Sequence, residues 1–183
     1  MNNNLEPKKV SESKITMTEM IMPNDTNPLG NLMGGNLMRW MDIIASICAA
    51  KHCKSHVVTA SVDHISFQNP IHVGDVITIH AQITRAFTTS VEIYLEVLAA
   101  DMKGGNNRRC NNAYFTFVAI GDVDKKPQPV PEIIPLTNEE QSLYDGAIRR
   151  RELRLVLSGR MKPEDAKEIR SIFVKPEAAI NYI

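Results

Sequence analysis

The sequence predicts an α+β domain in which a curved antiparallel sheet wraps around one long helix. Three observations lead to this prediction: one long helical pattern, four consecutive strand patterns after it, and hairpin signals between those strands. A single helix with one apolar stripe has one sheet to cover, and a curved antiparallel sheet is an economical way to bury that stripe. The length of 183 residues suits one domain with an appendage.

The predicted helix begins at Gly34–Gly35 and ends at about Lys51. At about 100° per residue its apolar side chains fall on one arc. The arc consists of Leu37, Met38, Met41, Ile44, Ala45 and Cys48. Asp42 falls just beside this arc, so we expect its carboxylate to lie at the margin of the buried stripe or to face a cleft.

One strand pattern precedes the helix and four follow it. The first covers residues 14–22, and the later ones cover 56–67, 76–87, 90–102 and 109–120. The segment Lys103-Gly104-Gly105-Asn106-Asn107 between the last two is a strong hairpin signal. Long consecutive strands joined by hairpins form antiparallel sheets.

The composition of the chain divides it into four segments. We predict a flexible tail over residues 1–12, the α+β domain over 13–123, a proline-rich linker over 124–136 and a helical tail over 137–183. Thr137 and Glu140 form a capping box at the start of the tail helix. A second, short helix is expected near residues 164–172.

Several classes of protein lose support from the composition. The formal net charge is zero, whereas proteins that grip nucleic acid usually carry a basic excess. Residues 1–10 hold no apolar signal-peptide region, and no run of about 18 apolar residues could span a membrane. The three cysteines form no CxxC pair, and no metal-ligand, GxSxG, GxGxxG or Walker motif is present. These patterns favour a cytoplasmic protein without a metal site, nucleic-acid partner or membrane span.

The loop before the helix and the helix itself carry the candidate chemistry. Gly34 and Gly35 lie where free N–H groups favour negative charge, although they could also serve only as the turn into the helix. Asn27 could orient a ligand with its amide, or could simply bond to its own backbone as turn residues do. Asp42 could act as a base, or could be an ordinary surface carboxylate.

Three stretches of the sequence resemble the cytosolic acyl-CoA thioesterases of the hotdog superfamily, which include brain-type hydrolases and small bacterial relatives. The first stretch is DTNPLGNLMGG over residues 25–35, followed by LMRWMD over 37–42. The others are VTASVDHISF over 58–67, which leads into NPIHVGD over 69–75, and TFVAI over 116–120. The resemblance covers about residues 14–155 and implies a hotdog fold and hydrolysis of fatty acyl-CoA.

The resemblance also implies roles for individual residues. Gly34 and Gly35 would lie at the thioester carbonyl, Asp42 would be the general base or nucleophile, and Asn27 would orient substrate or water. Thr59 matches a third polar position of the site.

Other implied residues would contact coenzyme A. Arg150 and Arg151 resemble an arginine cluster that would bind its phosphates, although a salt-bridged helix face explains them equally well. Thr89 and Ser90 resemble a pair near the coenzyme A groove. Relatives build each site across a dimer interface, so a dimer assembling into a hexamer is implied, and coenzyme A belongs to the substrate, so no separate cofactor is expected.

Two other functions are alternatives within the same fold. Hotdog dehydratases and hydratases place a catalytic histidine before or early in the helix, and the absence of any histidine before His52 argues strongly against such a reaction here. A non-catalytic sensor of acyl-CoA or nucleotide is the second alternative, and turnover of acyl-CoA would distinguish it from the enzyme.

Overall fold

The fold consists of a five-stranded antiparallel sheet, a 20-residue helix on each of its two faces and shorter elements around them. The computed structural model describes residues 5–63, 65 and 67–173. The strands are β1 (Lys8–Lys9), β2 (Ile15–Met20), β3 (His56–Val62), β4 (Val76–Ala86), β5 (Ser90–Ala100), β6 (Arg108–Ile120) and β7 (Ile133–Ile134). The helices are α1 (Val10–Ser13), α2 (Gly34–Cys53), α3 (Asn138–Leu157) and α4 (Lys167–Phe173), with single 3₁₀ turns at Pro23–Asp25 and Pro163–Asp165.

The main sheet has the strand order β2-β4-β5-β6-β3, and every neighbouring pair is antiparallel. Alternate residues of β4, β5 and β6 point to α2 and are almost fully buried, as Ile79, Leu95 and Phe115 illustrate. We call this side the inner face of the sheet and the opposite side the outer face. Burial of these side chains against the apolar stripe of α2 supplies the main drive to fold. The arrangement confirms the predicted α+β hotdog fold.

A β-bulge in β3 redirects the side chains of its second half. Thr59 pairs with Phe117, but the next paired residue is Ser61 with Thr116, so Ala60 is the extra residue. Side chains alternate between faces along a strand, and one inserted residue reverses the alternation beyond it. Thr59 therefore lies on the inner face beside α2, whereas Ser61 and Asp63 lie on the outer face.

The prediction of a flexible tail over residues 1–12 is wrong for its second half. Strand β1 pairs in parallel with β7, Val10 is only 2% exposed, and Lys8 donates a hydrogen bond to the carbonyl of His52. The segment is polar in sequence, yet a single buried valine and backbone pairing to a distant strand hold it on the domain. The first four residues lie outside the described residues.

Helix α3 docks on the outer face of the sheet. Its predicted capping box is confirmed, because Thr137 Oγ1 accepts from the Glu140 N–H at 3.1 Å while the Glu140 carboxylate accepts from the Thr137 N–H. Arg150 and Arg154 reach from α3 to Glu92, a β5 residue with no exposed surface. The predicted tail also includes residues 174–183, which lie outside the described residues.

Candidate active site

The start of α2 carries backbone N–H groups that are not used within the described residues. Its N-cap residue, Met33, provides no side-chain cap, and the first turn contains no acidic residue. The Met33 carbonyl accepts from the N–H groups of Asn36 and Leu37, whereas those of Gly34 and Gly35 have no partner in the described chain. A helix start with free N–H groups attracts a negatively charged oxygen.

The loop before α2 is held by its own hydrogen bonds. Asn27 Oδ1 accepts from the N–H groups of Leu29 at 2.9 Å and Asn31 at 3.2 Å. The Asn36 side chain donates to the Asp25 carbonyl at 3.2 Å, which ties the first helical turn to this loop. The side-chain carbonyl oxygen of Asn27 thus has the turn-forming role, while its side-chain NH₂ group has no partner in the part of the chain that the structure describes.

A cavity of about 430 Å³ opens beside the first turn of α2. Its walls are mainly apolar and include Leu32, Leu37, Phe67 and Ile71. Gly34 lines the same cavity, and a methyl group on its Cα would come within 3.0 Å of the Phe67 ring. A side chain at position 34 would therefore narrow the space in front of the free N–H groups.

Asn31 also lines this cavity, and sequence reasoning missed it. Its Oδ1 is buried without a hydrogen-bond partner among the described residues. A buried polar atom without a partner is a candidate for ligand or water contact. Its position in a dense turn sequence was the available signal, but the same signal marks every residue of that loop.

Asp42 and Thr59 meet at the other end of the site. Thr59 Oγ1 donates to Asp42 Oδ1 at 2.8 Å, which joins the middle of α2 to the edge strand β3. Asp42 is half-buried and Thr59 is exposed. The bond fixes one carboxylate oxygen and leaves the other without a described partner, so Asp42 can accept a proton from water or approach a carbonyl carbon.

The two halves of the site lie too far apart to act together within one chain. Asp42 follows Gly34 by two helical turns, which corresponds to about 12 Å along the helix axis. A single carbonyl group cannot receive a hydrogen bond at Gly35 and an attacking group from Asp42 across that separation, because reacting atoms must come within about 3.5 Å. One chain therefore presents two half-sites.

The residues expected to contact coenzyme A lie on or near the outer face. Arg150 donates to Glu92 Oε1 from Nε at 3.0 Å and from Nη2 at 2.8 Å, and its guanidinium stacks on Tyr114. This geometry favours Arg150 as a salt-bridged residue of the helix over Arg150 as a contact of coenzyme A. Arg151 is in no ion pair within the described ranges, and it lines a small cavity together with Ser90.

Thr89 lies in the turn between β4 and β5, where its carbonyl accepts from the Ala119 N–H at 3.0 Å. It is half-buried and is not among the residues that line the cavity of Ser90 and Arg151. Of this pair, Ser90 lines that cavity and Thr89 does not.

Two further properties of the described residues bear on the chemistry. No helix among them is long and apolar enough to cross a membrane. Nor does any group of three or more His, Cys, Asp or Glu side chains among residues 5–63, 65 and 67–173 have the arrangement of a metal site.

Comparison with known proteins assigns the chain to a family. A sequence profile described as the thioesterase superfamily matches residues 29–105. An uncharacterised acyl-CoA thioester hydrolase from Bacillus subtilis is 38% identical over 145 residues, which cover 79% of this chain and 84% of that protein. The chain belongs to the thioesterase superfamily. Within this superfamily, the cytosolic acyl coenzyme A thioester hydrolase of Mus musculus is 37% identical over 166 residues, which cover 88% of this chain and 43% of the mouse protein.

Solved structures of thioesterase superfamily members have the same fold. An acyl-CoA hydrolase from Bacillus cereus matches with a TM-score of 0.80 and 29% identity over 93% of this chain and 100% of that one. An acyl-CoA hydrolase from Staphylococcus aureus, in complex with butyryl coenzyme A, coenzyme A and coenzyme A disulfide, matches with a TM-score of 0.77 and 33% identity over 92% and 100% of the two chains. Variants of the Staphylococcus aureus enzyme with an Asp, a Thr or an Asn replaced by alanine match as well. A hexameric thioesterase from Yersinia pestis matches with a TM-score of 0.58 and 36% identity over 63% of this chain and 93% of that one.

Proposed function

We propose that this protein hydrolyses fatty acyl-CoA to a free fatty acid and coenzyme A. The observation that carries the proposal is the uncapped start of α2, where the N–H groups of Gly34 and Gly35 have no described partner and Gly34 lines an apolar cavity. The cavity can hold part of an acyl chain while the N–H groups face the thioester carbonyl at its mouth. The acyl-CoA hydrolase names of the relatives support this substrate class.

Each half-site has a separate task in the proposed reaction. The N–H of Gly35 stabilises the negative charge that gathers on the thioester oxygen in the transition state, and Gly34 leaves room for the acyl group. The Asn27 amide orients substrate or water. Asp42 acts as general base towards water or as nucleophile, and Thr59 holds its carboxylate in place. Thiolate is a good leaving group, and coenzyme A enters as part of the substrate, so the reaction needs no separate cofactor.

A second copy of the chain completes the site in this proposal. Gly35 and Asp42 are about 10 Å apart along α2, so the acyl group held at one helix start must meet Asp42 of another copy. Strand β3 is one of the two edge strands of the sheet, and it exposes Val58 to 51% and Val62 to 39%. An unpaired apolar edge is suited to pair with the same strand of a second copy. Such dimers would assemble further into a hexamer, and the thioesterase from Yersinia pestis is hexameric.

A cytoplasmic location is part of the same proposal. The mouse relative is named a cytosolic enzyme, and all three cysteines, Cys48, Cys53 and Cys110, are buried and free. Burial raises the pKa of Cys48 to about 12 and that of Cys53 to about 11, which keeps both thiols protonated and unreactive. Free, inert thiols are usual in a reducing compartment.

The test is release of thiol from a panel of short to long acyl-CoAs. Asp42→Ala is expected to lower kcat by about 10²- to 10⁴-fold, the usual contribution of a positioned acid or base. Asn27→Ala should also lower turnover, with Asn24→Ala in the same loop as the matched control. If the wild-type protein binds acyl-CoA but releases no thiol, the proposed hydrolase activity is refuted and the non-catalytic sensor is favoured.

Mixing two inactive variants tests the shared site. Gly35→Pro removes the N–H of one half-site and Asp42→Ala removes the carboxylate of the other, so each variant alone is expected to be inactive. A mixed dimer carries one intact composite site out of two, and mixed dimers make up about half of an equimolar mixture whose subunits exchange freely. The mixture should therefore recover up to about a quarter of wild-type turnover, and mass spectrometry can verify the exchange. Mixed dimers without any recovered turnover would contradict a site shared between two copies.

A further inference from the structure

One wall of the cavity beside α2 consists of a single irregular segment. Residues 67–71 line this cavity, and the Phe67 ring faces Gly34. The segment belongs to neither a helix nor a strand, so it has no ladder of backbone hydrogen bonds to hold it. A few individual bonds therefore decide how firmly this wall stays in place.

Arg108 fastens this wall from the first position of β6. Its guanidinium donates to the Pro70 carbonyl from Nε at 3.2 Å and from Nη2 at 3.0 Å, and Nη2 also forms an ion pair with the Asp75 carboxylate. Asp75 accepts in turn from the His72 N–H at 2.7 Å. The Arg108 and Asp75 side chains are only 16% and 11% exposed, so dissolved salt screens this pair little. Arg108 thus holds the segment at Pro70 and, through Asp75, at His72.

The same segment holds the loop before α2. The Leu32 N–H donates to the Ile71 carbonyl at 2.7 Å, and the Val73 N–H donates to the Gly30 carbonyl at 3.0 Å. A shift of residues 67–71 would therefore also displace Leu32, which lines the cavity just before the helix begins. The wall and the loop move as one unit or not at all.

Two further bonds hold the segment, and both are uncharged. The Gln68 N–H donates to the Cys110 carbonyl at 3.1 Å, and the Asn69 side-chain amide donates to the Arg109 carbonyl at 2.7 Å. Hydrogen bonds that involve a charged group are roughly twice as strong as neutral ones. Arg108 therefore contributes most to the rigidity of the wall.

We propose that Arg108 is a positioning residue that sets the length of the acyl chain this cavity admits, an assignment that rests on the proposed hydrolysis of acyl-CoA. The cavity keeps its volume of about 430 Å³ only while the wall stays in place. An acyl chain too long for this volume has to push the wall outward, and the bonds from Arg108 resist that movement. Discrimination between substrates is a difference in how well the site holds each of them in the transition state. A firmly held wall therefore rejects long chains, and a loosened wall admits them.

The kinetic test compares two acyl-CoAs, the one that the wild type hydrolyses fastest and one four carbons longer. The ratio of kcat/KM for the longer substrate to that for the shorter one is expected to rise about 5- to 10-fold in Arg108→Gln. Arg108→Lys keeps a positive charge beside Asp75 but lacks the planar fork that reaches the Pro70 carbonyl, so its ratio should lie between the two. Arg109→Gln is the matched control, because the guanidinium of this adjacent residue pairs with Glu96 on the outer face of the sheet. Equal ratios in Arg108→Gln and Arg109→Gln would overturn the proposal.

A milder variant covers the case in which Arg108→Gln does not fold. Asn69→Ala removes one uncharged bond at an exposed position of the same segment. It should raise the ratio in the same direction by about 2- to 3-fold. A ratio that stays at the wild-type value in Asn69→Ala and in Arg108→Lys would count against a wall that limits chain length.

Hydrogen exchange of the full-length chain measures the wall without any turnover. The N–H groups of Leu32 and Val73 are expected to exchange about 10-fold faster in Arg108→Gln than in the wild type, whereas exchange within α3 should not change. Unchanged exchange at both N–H groups would refute the positioning role. Exchange that is faster by the same factor in α3 would mean that Arg108 supports the whole domain, and this too would refute it.

Failure of the proposed function gives a different result. A wild type that releases no thiol would refute hydrolysis, and the dependence on chain length is then measured as the dissociation constants of the same two acyl-CoAs by calorimetry. Arg108→Gln should still bring the two constants about 5- to 10-fold closer together. Constants that keep their wild-type ratio would overturn the role of Arg108 independently of catalysis.

Discussion

Replacement of Glu92 is expected to be among the most destabilising single changes to this protein. Its side chain has no exposed surface, and its carboxylate accepts four hydrogen bonds from Thr84, Arg150 and Arg154. Glu92→Ala leaves two mostly buried guanidinium groups without their counter-charge. Removing one partner of a buried ion pair costs about 3–5 kcal/mol, a large part of the total stability of a domain of this size.

Urea denaturation followed by circular dichroism measures this cost. Glu96→Ala is the matched control, because Glu96 lies on the same strand and face but is paired with Arg109 at the surface, at 3.1 Å. Such an exposed pair contributes less than about 1 kcal/mol.

Arg154 also pairs with Asp63 at 2.8 Å, so the whole network has to be replaced. Glu92→Leu together with Arg150→Met, Arg154→Met and Asp63→Asn should recover most of the loss, since a buried ion-pair network can be replaced by uncharged side chains of similar volume. Equal costs for Glu92→Ala and Glu96→Ala would refute the reasoning.

Three further outcomes are expected. Thr59→Val removes the hydrogen bond to Asp42 and should lower kcat about tenfold with little change in KM. The kcat of Thr59→Ser, which keeps the hydroxyl group, should stay near that of the wild type. Equal kcat values for the two variants would argue against a positioning role of Thr59. Gly34→Ala places a methyl group 3.0 Å from the Phe67 ring and so narrows the cavity. In a chain-length panel, the rate of hydrolysis should therefore fall more for long acyl chains than for short ones. An equal fall for all chain lengths would contradict the assignment of this cavity to the acyl chain. Burial lowers the pKa of His52 from its ordinary value of 6.5, so the unfolded chain binds a proton that the folded chain does not, and stability should fall as the pH drops below about 6.5. His52→Gln should flatten this dependence in denaturation curves at pH 7.5 and 5, and an unchanged slope would exclude His52 as its source.

Local patterns in the sequence predicted most of the secondary structure. The period of α2, the hairpin after β5 and the capping box of α3 each depend on residues within a few positions of one another, so their physical signals can be read directly from the chain. The predicted strand over 56–67 is longer than β3, which ends at Val62, and its positions 64 and 66 lie outside the described residues. Strand ends depend on pairing partners, and these are not visible in the strand itself.

The free N–H groups of Gly34 and Gly35 were likewise foreseeable, because a helix start without a capping side chain is a local property of the sequence. The flexible tail was predicted wrongly for the opposite reason. The burial of Val10 and the pairing of β1 depend on β7, more than 120 residues later in the chain.

The tertiary structure alone decided which candidate side chains meet. Asp42 and Thr59 are 17 residues apart, and they touch because β3 crosses beside the middle of α2. The bulge at Ala60 then turns Ser61 to the opposite face, which a regular alternation would not do. Arg150 and Arg151 are adjacent in sequence and were equal candidates for contact with coenzyme A. The helical rotation of about 100° between them directs Arg150 to the buried Glu92 and Arg151 to the small cavity that it lines with Ser90. Residue types and their local spacing therefore determined the elements and the class of chemistry, whereas the assignment of each side chain to a partner required the packing of segments that are distant in the chain.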